Sequence, residues 1–316
     1  MDKSIAPLCL AVVGMQFCAV TAYAAEPEAC RTVRIADGGY SDNVAQNGLV
    51  AAVIESLGYK ADVQLLAILV VLETLKNGQM DVFLDAWSPA IDPQTKPYIE
   101  AGQVARLKTT LTDAKYTLAV PAYAYDGGLK SFADIHKFKD RLDGKLYGLE
   151  PGNDSNLNIG KMIAEDDFGL GQFELVESSE QAVLSQLRKA VRTSEWMVFP
   201  AWSPHPMNVE FEIRYLEGGD KYYGPNFGAA EVFTITRNDY VKDCPNIGKF
   251  FENLDFTSAM ESEVMQHIED GVDFKEAGRK YLAVNKEPLS RWLDGVTTTT
   301  GEPAEAAVLS ALGISE

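Results

Sequence analysis

Short apolar runs alternate with longer amphipathic stretches along most of the chain, and Gly or Pro marks many of the changes between them. Thr32 to Ala36 reads as a strand, Asp37-Gly38-Gly39 as a turn, and Asp42 to Leu57 as a helix ending at Gly58. A strand at Ala61 to Leu66, a helix around Val71 to Asn77 capped by Gly78, and a strand at Asp81 to Leu84 follow. This β-α-β-α-β order predicts a mostly parallel sheet with helices on its faces. After Lys115 the alternation restarts. Strands are expected at Tyr116 to Val120, Leu146 to Leu149, Phe173 to Val176 and Trp196 to Phe199, and helices at Phe132 to Phe138, Ser155 to Glu165 and Ser179 to Ala190. Beyond Glu210 come a strand or two, then helices at Asn246 to Asn253, Ser258 to Glu269, Asp273 to Asn285 and Leu289 to Leu293.

The order fits two similar α/β lobes joined by two crossovers: 25–113, then 114–211, then a return to the first lobe over 212–316, near Phe211 to Tyr215. One echo links the lobes. Val82 to Pro89 reads VFLDAWSP and Val198 to Pro204 reads VFPAWSP. The final Pro has no N–H to donate and stops each strand, so Trp87 and Trp202 fall at strand C-terminal ends, where open α/β sheets bind ligands. Corresponding strands in two lobes would put the two Trp on opposite walls of one cleft.

The first residues change the picture of where the chain works. Ile5 to Thr21 is apolar but for Pro7, Gly14 and Gln16, and Ala22-Tyr23-Ala24 resembles a cleavage site, so 1–24 is read as a signal peptide and the mature protein as exported, soluble and periplasmic. Cleavage removes one acid, Asp2, and one base, Lys3, leaving the net charge at −18. That balance excludes nucleic-acid binding through phosphates and favours cations at long range, or simply keeps an exported protein in solution. Cys9 and Cys18 leave with the signal. Cys30 and Cys244 remain, and in an oxidising compartment a disulfide between them is expected, the alternative being two buried thiols.

The candidate chemistry lies in residues that fall at strand ends. Tyr40, Trp87, Tyr116 and Trp202 converge there, with Asp42 and Asn153 nearby and hardly a basic residue among them. Taken singly, each aromatic is more often a core residue than a cage wall. Together they suit a cation without N–H donors, recognised by ring quadrupoles and dispersion. The rival class, an exported hydrolase, finds little support. There are three histidines, His136, His205 and His267, and no Gly-x-Ser-x-Gly, His-Glu-x-x-His or Cys-x-x-Cys. The run Glu165-Asp166-Asp167 reads as a solvated helix end. No cofactor is implied.

GGYSDN, DVFLDAWSP, AKYTL, YGLEPGNDSN, ESSEQAVL, FPAWSPHPMN, YGPNFG and DCPNIGK resemble, in order and spacing, the choline-binding proteins of bacterial ABC importers. These belong to the glycine betaine/choline substrate-binding family, with the two-lobed type II periplasmic binding fold. The resemblance implies a binding protein that hands a quaternary amine to permease subunits. It implies cage walls at Tyr40, Trp87, Tyr116 and Trp202, a pair at Asp42 and Asn153 for the choline hydroxyl, and a bridge between Cys30 and Cys244. Such choline binders carry Trp where this chain has Tyr40. Asp42 favours a ligand whose far end donates a hydrogen bond; glycine betaine would present its own carboxylate there. His205, three residues after Trp202, is read as a supporting residue, and could otherwise donate to such a carboxylate.

Overall fold

The computed structural model describes residues 26–314; the segment 1–24 read as a targeting signal lies outside them. Strand β1 (Thr32–Asp37) pairs in parallel with β2 (Lys60–Leu65) and β3 (Val82–Ser88). Helices α1 (Ser41–Ser56) and α2 (Ile68–Lys76) supply the crossovers on opposite faces. The alternation of the strands decides which face each residue serves: Val33, Ile35, Val82 and Leu84 pack with α1 and the C-terminal helices, whereas Ala36 and Phe83 pack with α2. Gly48 of α1 and Gly278 of helix Phe274–Val284 let those helices touch backbone to backbone, since a Cβ on either would lie 2.3 Å from a carbonyl oxygen of the other.

After α3 (Asp92–Glu100) the chain enters β4 (Val104–Pro121), which runs through both lobes. The second lobe adds β5 (Lys145–Tyr147), helix Asp154–Ala164, β6 (Glu174–Val176), helix Glu180–Thr193, β7 (Phe199–Ser203) and β8 (Ile213–Tyr215). The chain then runs back as β9 (Ala229–Arg237) between β3 and β4. The main sheet has the order β2-β1-β3-β9-β4-β7 with β8 beside β4, and β5 pairs with β6 separately.

Several expectations shift. The main sheet is mixed, because β9 is antiparallel to both β3 and β4, and β7 and β8 are antiparallel to β4. The return to the first lobe is later than 211: β8 pairs with Ala119–Pro121 of β4, and the crossing is made by β9. Only the end of β4 reads as strand in the sequence, since three register shifts between Arg106 and Ala114 break the two-residue alternation. β7 starts at Phe199, not Trp196, and contains Pro200; an edge strand tolerates a residue without an N–H to pair. Helix α3 carries Pro93 in its first turn and Pro97 inside, which hides it from a pattern reading. Among the described residues no helix is long and apolar enough to cross a membrane.

Cys30 and Cys244 form a disulfide with Cα atoms 5.6 Å apart, tying the turn before β1 to the start of helix Pro245–Asn253. The sequence separation of 214 makes the closed loop long, and chain entropy assigns it a contribution of about 5 kcal/mol. Reduction is therefore expected to lower the melting temperature of the purified protein, and thiol titration of the denatured, unreduced chain to find no reactive Cys30 or Cys244. Two titratable thiols in that experiment would refute the bridge.

Candidate functional site

The turn after β1 starts the site. Asn43 accepts from the Gly38 N–H at 2.7 Å, fixing the loop so that Tyr40 and Asp42 leave the N-terminus of α1 together. In β3, Asp85 and Trp87 lie two residues apart beside a register shift between Phe83 and Ala86, a local bend of the kind that re-aims side chains near sites. From the second lobe, Tyr116 of β4 stands directly opposite Trp202 of β7 in the antiparallel ladder. Gly228, at φ +72°, lets the loop before β9 lie against the Tyr116 carbonyl, 2.1 Å from where its Cβ would be. Asn153 caps helix Asp154–Ala164 by accepting from the Ser155 N–H at 2.8 Å, which sets Asp154 at the first helical position. In both Ala-Trp-Ser-Pro stretches the Ser–Pro bond is cis.

These elements meet around a pocket lined by all six candidates, Tyr40, Asp42, Trp87, Tyr116, Asn153 and Trp202. The rings stand edge to face: Tyr40 and Trp202 at 6.2 Å between centroids, Trp87 and Tyr116 at 5.8 Å, Tyr116 and Trp202 at 6.2 Å. No Lys, Arg or His is among the lining residues. His205 lies behind the wall, its ring 4.6 Å from that of Trp202.

Two lining carboxylates escaped the sequence reading: Asp85 and Asp154. Their signals were position, two residues before Trp87 on one strand and next to Asn153 at a helix start. Each indole is held by a carboxylate: Trp87 donates to Asp85 at 2.7 Å and Trp202 to Asp42 at 3.1 Å. The second bond joins the lobes, as does the Asn153 amide donating to the Tyr40 hydroxyl at 2.8 Å. The other oxygen of Asp42 and one oxygen of Asp154 are buried with no hydrogen-bond partner among the described residues. Asn153 is more occupied than expected, since its oxygen also accepts from Tyr116 at 3.3 Å.

The electrostatics follow from burial. Desolvation first, then repulsion from Glu180, pushes Asp42 up to about 6. Asp85 is raised well above the carboxylate range by desolvation and then by Asp42, and desolvation brings Asp154 to about 7. A pocket with aromatic walls, three carboxylates and no cation of its own is built to receive a positive charge.

The family model described as the substrate-binding domain of ABC-type glycine betaine transport systems, OpuAC, matches residues 31–284. The chain belongs to this family. An ABC-transporter choline binding protein solved in complex with choline is similar to it at 44% identity and a TM-score of 0.90, covering 91% of this chain and 100% of that one. A choline binding protein in an unliganded semi-closed conformation is 43% identical with a TM-score of 0.83, over the same shares of the two chains. The glycine betaine/carnitine transport binding protein GbuC of Listeria monocytogenes is 27% identical over 197 residues, 62% of this chain and 65% of that protein. The chain thus has the two-lobed type II binding fold of an OpuAC domain and the role of an importer's substrate-binding protein, with permease subunits as its partners.

In this OpuAC domain the raised carboxylates bear on stability. Their folded-state values near 6 and 7 exceed the usual 3.8, so the empty folded protein holds protons that the unfolded chain has released. Their contribution to the stability of the empty, shut form is present in full below about pH 4 and lost as pH rises through 6 to 7. Urea unfolding from pH 5 to 8 is expected to give a falling stability, and Asp42→Asn with Asp154→Asn to flatten it. A slope unchanged in that double variant would contradict the assignment.

Proposed function

We propose that this protein is a periplasmic binding protein that captures choline between its lobes and delivers it to the permease. The observation that carries the reading is the pocket itself: four aromatic faces and three carboxylates, with no basic residue to meet an anion. A trimethylammonium group cannot donate hydrogen bonds, so ring faces and nearby carboxylates are what can hold it. Each desolvated cation–π contact supplies about 2 kcal/mol, and several together support micromolar binding. Trp87, Trp202, Tyr116 and Tyr40 form the walls in this reading. The unpartnered oxygen of Asp42 accepts a hydrogen bond from the ligand hydroxyl, with Asn153 positioned by its bonds to Tyr40 and Tyr116. The protein performs no chemistry on its ligand.

Glycine betaine is the second reading, favoured by the family to which the chain belongs. Its carboxylate would stand among Asp42, Asp85 and Asp154, and those groups would have to hold protons to receive it. The two ligands therefore separate with pH. Choline gains from ionised carboxylates and should bind more weakly as pH falls from 8 to 5, through the values near 7 and 6; betaine should weaken less or strengthen.

Calorimetric titration of the two ligands tests the proposal. Wild type is expected to prefer choline at pH 8. Trp87→Ala or Trp202→Ala should weaken choline by at least about tenfold, the scale of one lost desolvated cation–π wall. Asp42→Asn should shift the choline-to-betaine ratio of dissociation constants toward betaine by about tenfold. A wild type that prefers betaine at pH 8, or a ratio untouched by Asp42→Asn, would overturn the choline assignment.

A further inference from the structure

The stretch ESSEQAVL contributes nothing to the lining of the pocket, yet its Glu180 is only 3% exposed. Its carboxylate lies where two helix N-termini meet. Glu180 is the first residue of its own helix, Glu180–Thr193. Across the cleft, Ser41 is the first residue of α1; its backbone N–H donates to Glu180 Oε2 at 3.0 Å and its hydroxyl to Oε1. Tyr40, at the cap position of α1, makes no side-chain cap, so Glu180 provides from the opposite lobe the acceptor that this helix start lacks. The positive ends of both helices point toward one carboxylate.

The second lobe holds Glu180 in place. The Met207 N–H donates to His205 Nδ1 at 2.9 Å, which puts the ring proton on Nε2, and Nε2 faces Glu180 Oε1 at 3.1 Å. His205 is 4% exposed and packs edge-on against Trp202. One buried His thus orients both a wall of the pocket and this carboxylate.

We propose that Glu180 is a closure latch, a positioning residue that holds the liganded lobes shut by capping α1 from across the cleft without touching the ligand. The proposal rests on the reading of the pocket as a ligand site between closing lobes. The bonds from His205 and from the Gln181 side-chain amide, at 3.5 Å, stay within one lobe and do not depend on whether the cleft is open or shut. Those from Ser41 exist only when it is shut, and only such differential contacts bias the equilibrium. The latch therefore acts on opening, and so on ligand escape more than on capture. The bonds Trp202–Asp42 and Asn153–Tyr40 also cross the cleft, but through residues of the pocket, whereas Glu180 and Ser41 can be changed without altering its lining.

The test compares wild type, Glu180→Gln and Ser41→Pro by stopped-flow tryptophan fluorescence with choline. Proline is favoured at the first helical position and Tyr40 before it is extended, at φ −93° and ψ 145°, so Ser41→Pro removes both donors and keeps α1. The off-rate is expected to rise about tenfold or more in each variant, with the association rate within about threefold of wild type. An off-rate within about twofold of wild type in either variant, or a loss carried by association instead, overturns the latch. Choline that fails to bind wild type counts against the ligand assignment, and the same comparison with glycine betaine then decides: a faster off-rate in both variants supports the latch, and off-rates within about twofold of wild type overturn it.

Discussion

Removing three carboxylates from water without pairing them to a cation is the constraint on which this structure turns. Burial of an unpaired charge is among the costliest things a fold can do, and the usual remedies are a partner or a proton. Asp42, Asp85 and Asp154 receive indole and phenol hydrogen bonds but no Lys or Arg, and their affinity for protons rises accordingly. Aromatic rings close the rest of the wall, offering negative faces, and the two indole N–H groups are already engaged by Asp85 and Asp42. A ligand that carries a positive charge supplies the partner these groups lack. The fold serves that end by bringing two rings from each lobe, with Asp42 and Asp85 from the first and Asp154 from the second, so that full desolvation occurs only when the cleft is shut.

The depth of the pocket continues this arrangement. Gln46 of α1 donates to Glu261 at 2.9 Å, and Glu261 is fully buried with its proton affinity raised first by desolvation and then by Asp42. The acidic character of the site therefore extends into the interface between α1 and helix Ser258–Glu269. Glu180 and His205 complete it on the other side, where a carboxylate spans the cleft between two helix starts.

Much of this was legible in the sequence, and the rest was hidden for identifiable reasons. The repeated Ala-Trp-Ser-Pro gave away both indoles, because a Pro without an N–H ends a strand wherever it occurs. Tyr40, Asp42, Tyr116 and Asn153 were visible as strand-end residues, and the structure brings all of them to one pocket. Asp85 looked like an ordinary strand residue; only the register shift beside it, a property of pairing with β9, aims it inward. Asp154 and Glu180 sit at helix starts, where acids are common for local reasons alone, so nothing in one sequence separates them from caps. The first half of β4 was lost because its bulges scramble the alternation on which strand reading depends. The hydroxyl of Tyr40 could be read, but not that it would bind the amide of Asn153.

The central claim is that this pocket reads charge rather than shape. The most direct measurement compares choline with 3,3-dimethyl-1-butanol, in which a carbon replaces the ammonium nitrogen and size, branching and hydroxyl are kept. Calorimetry on the same preparation at pH 8 is expected to find the neutral alcohol weaker by at least about a hundredfold, equivalent to roughly 2.8 kcal/mol from cation–π and carboxylate attraction together. Dissociation constants for the two ligands within about threefold of each other would contradict the account, leaving the rings as an apolar pocket and the buried carboxylates without a role in recognition.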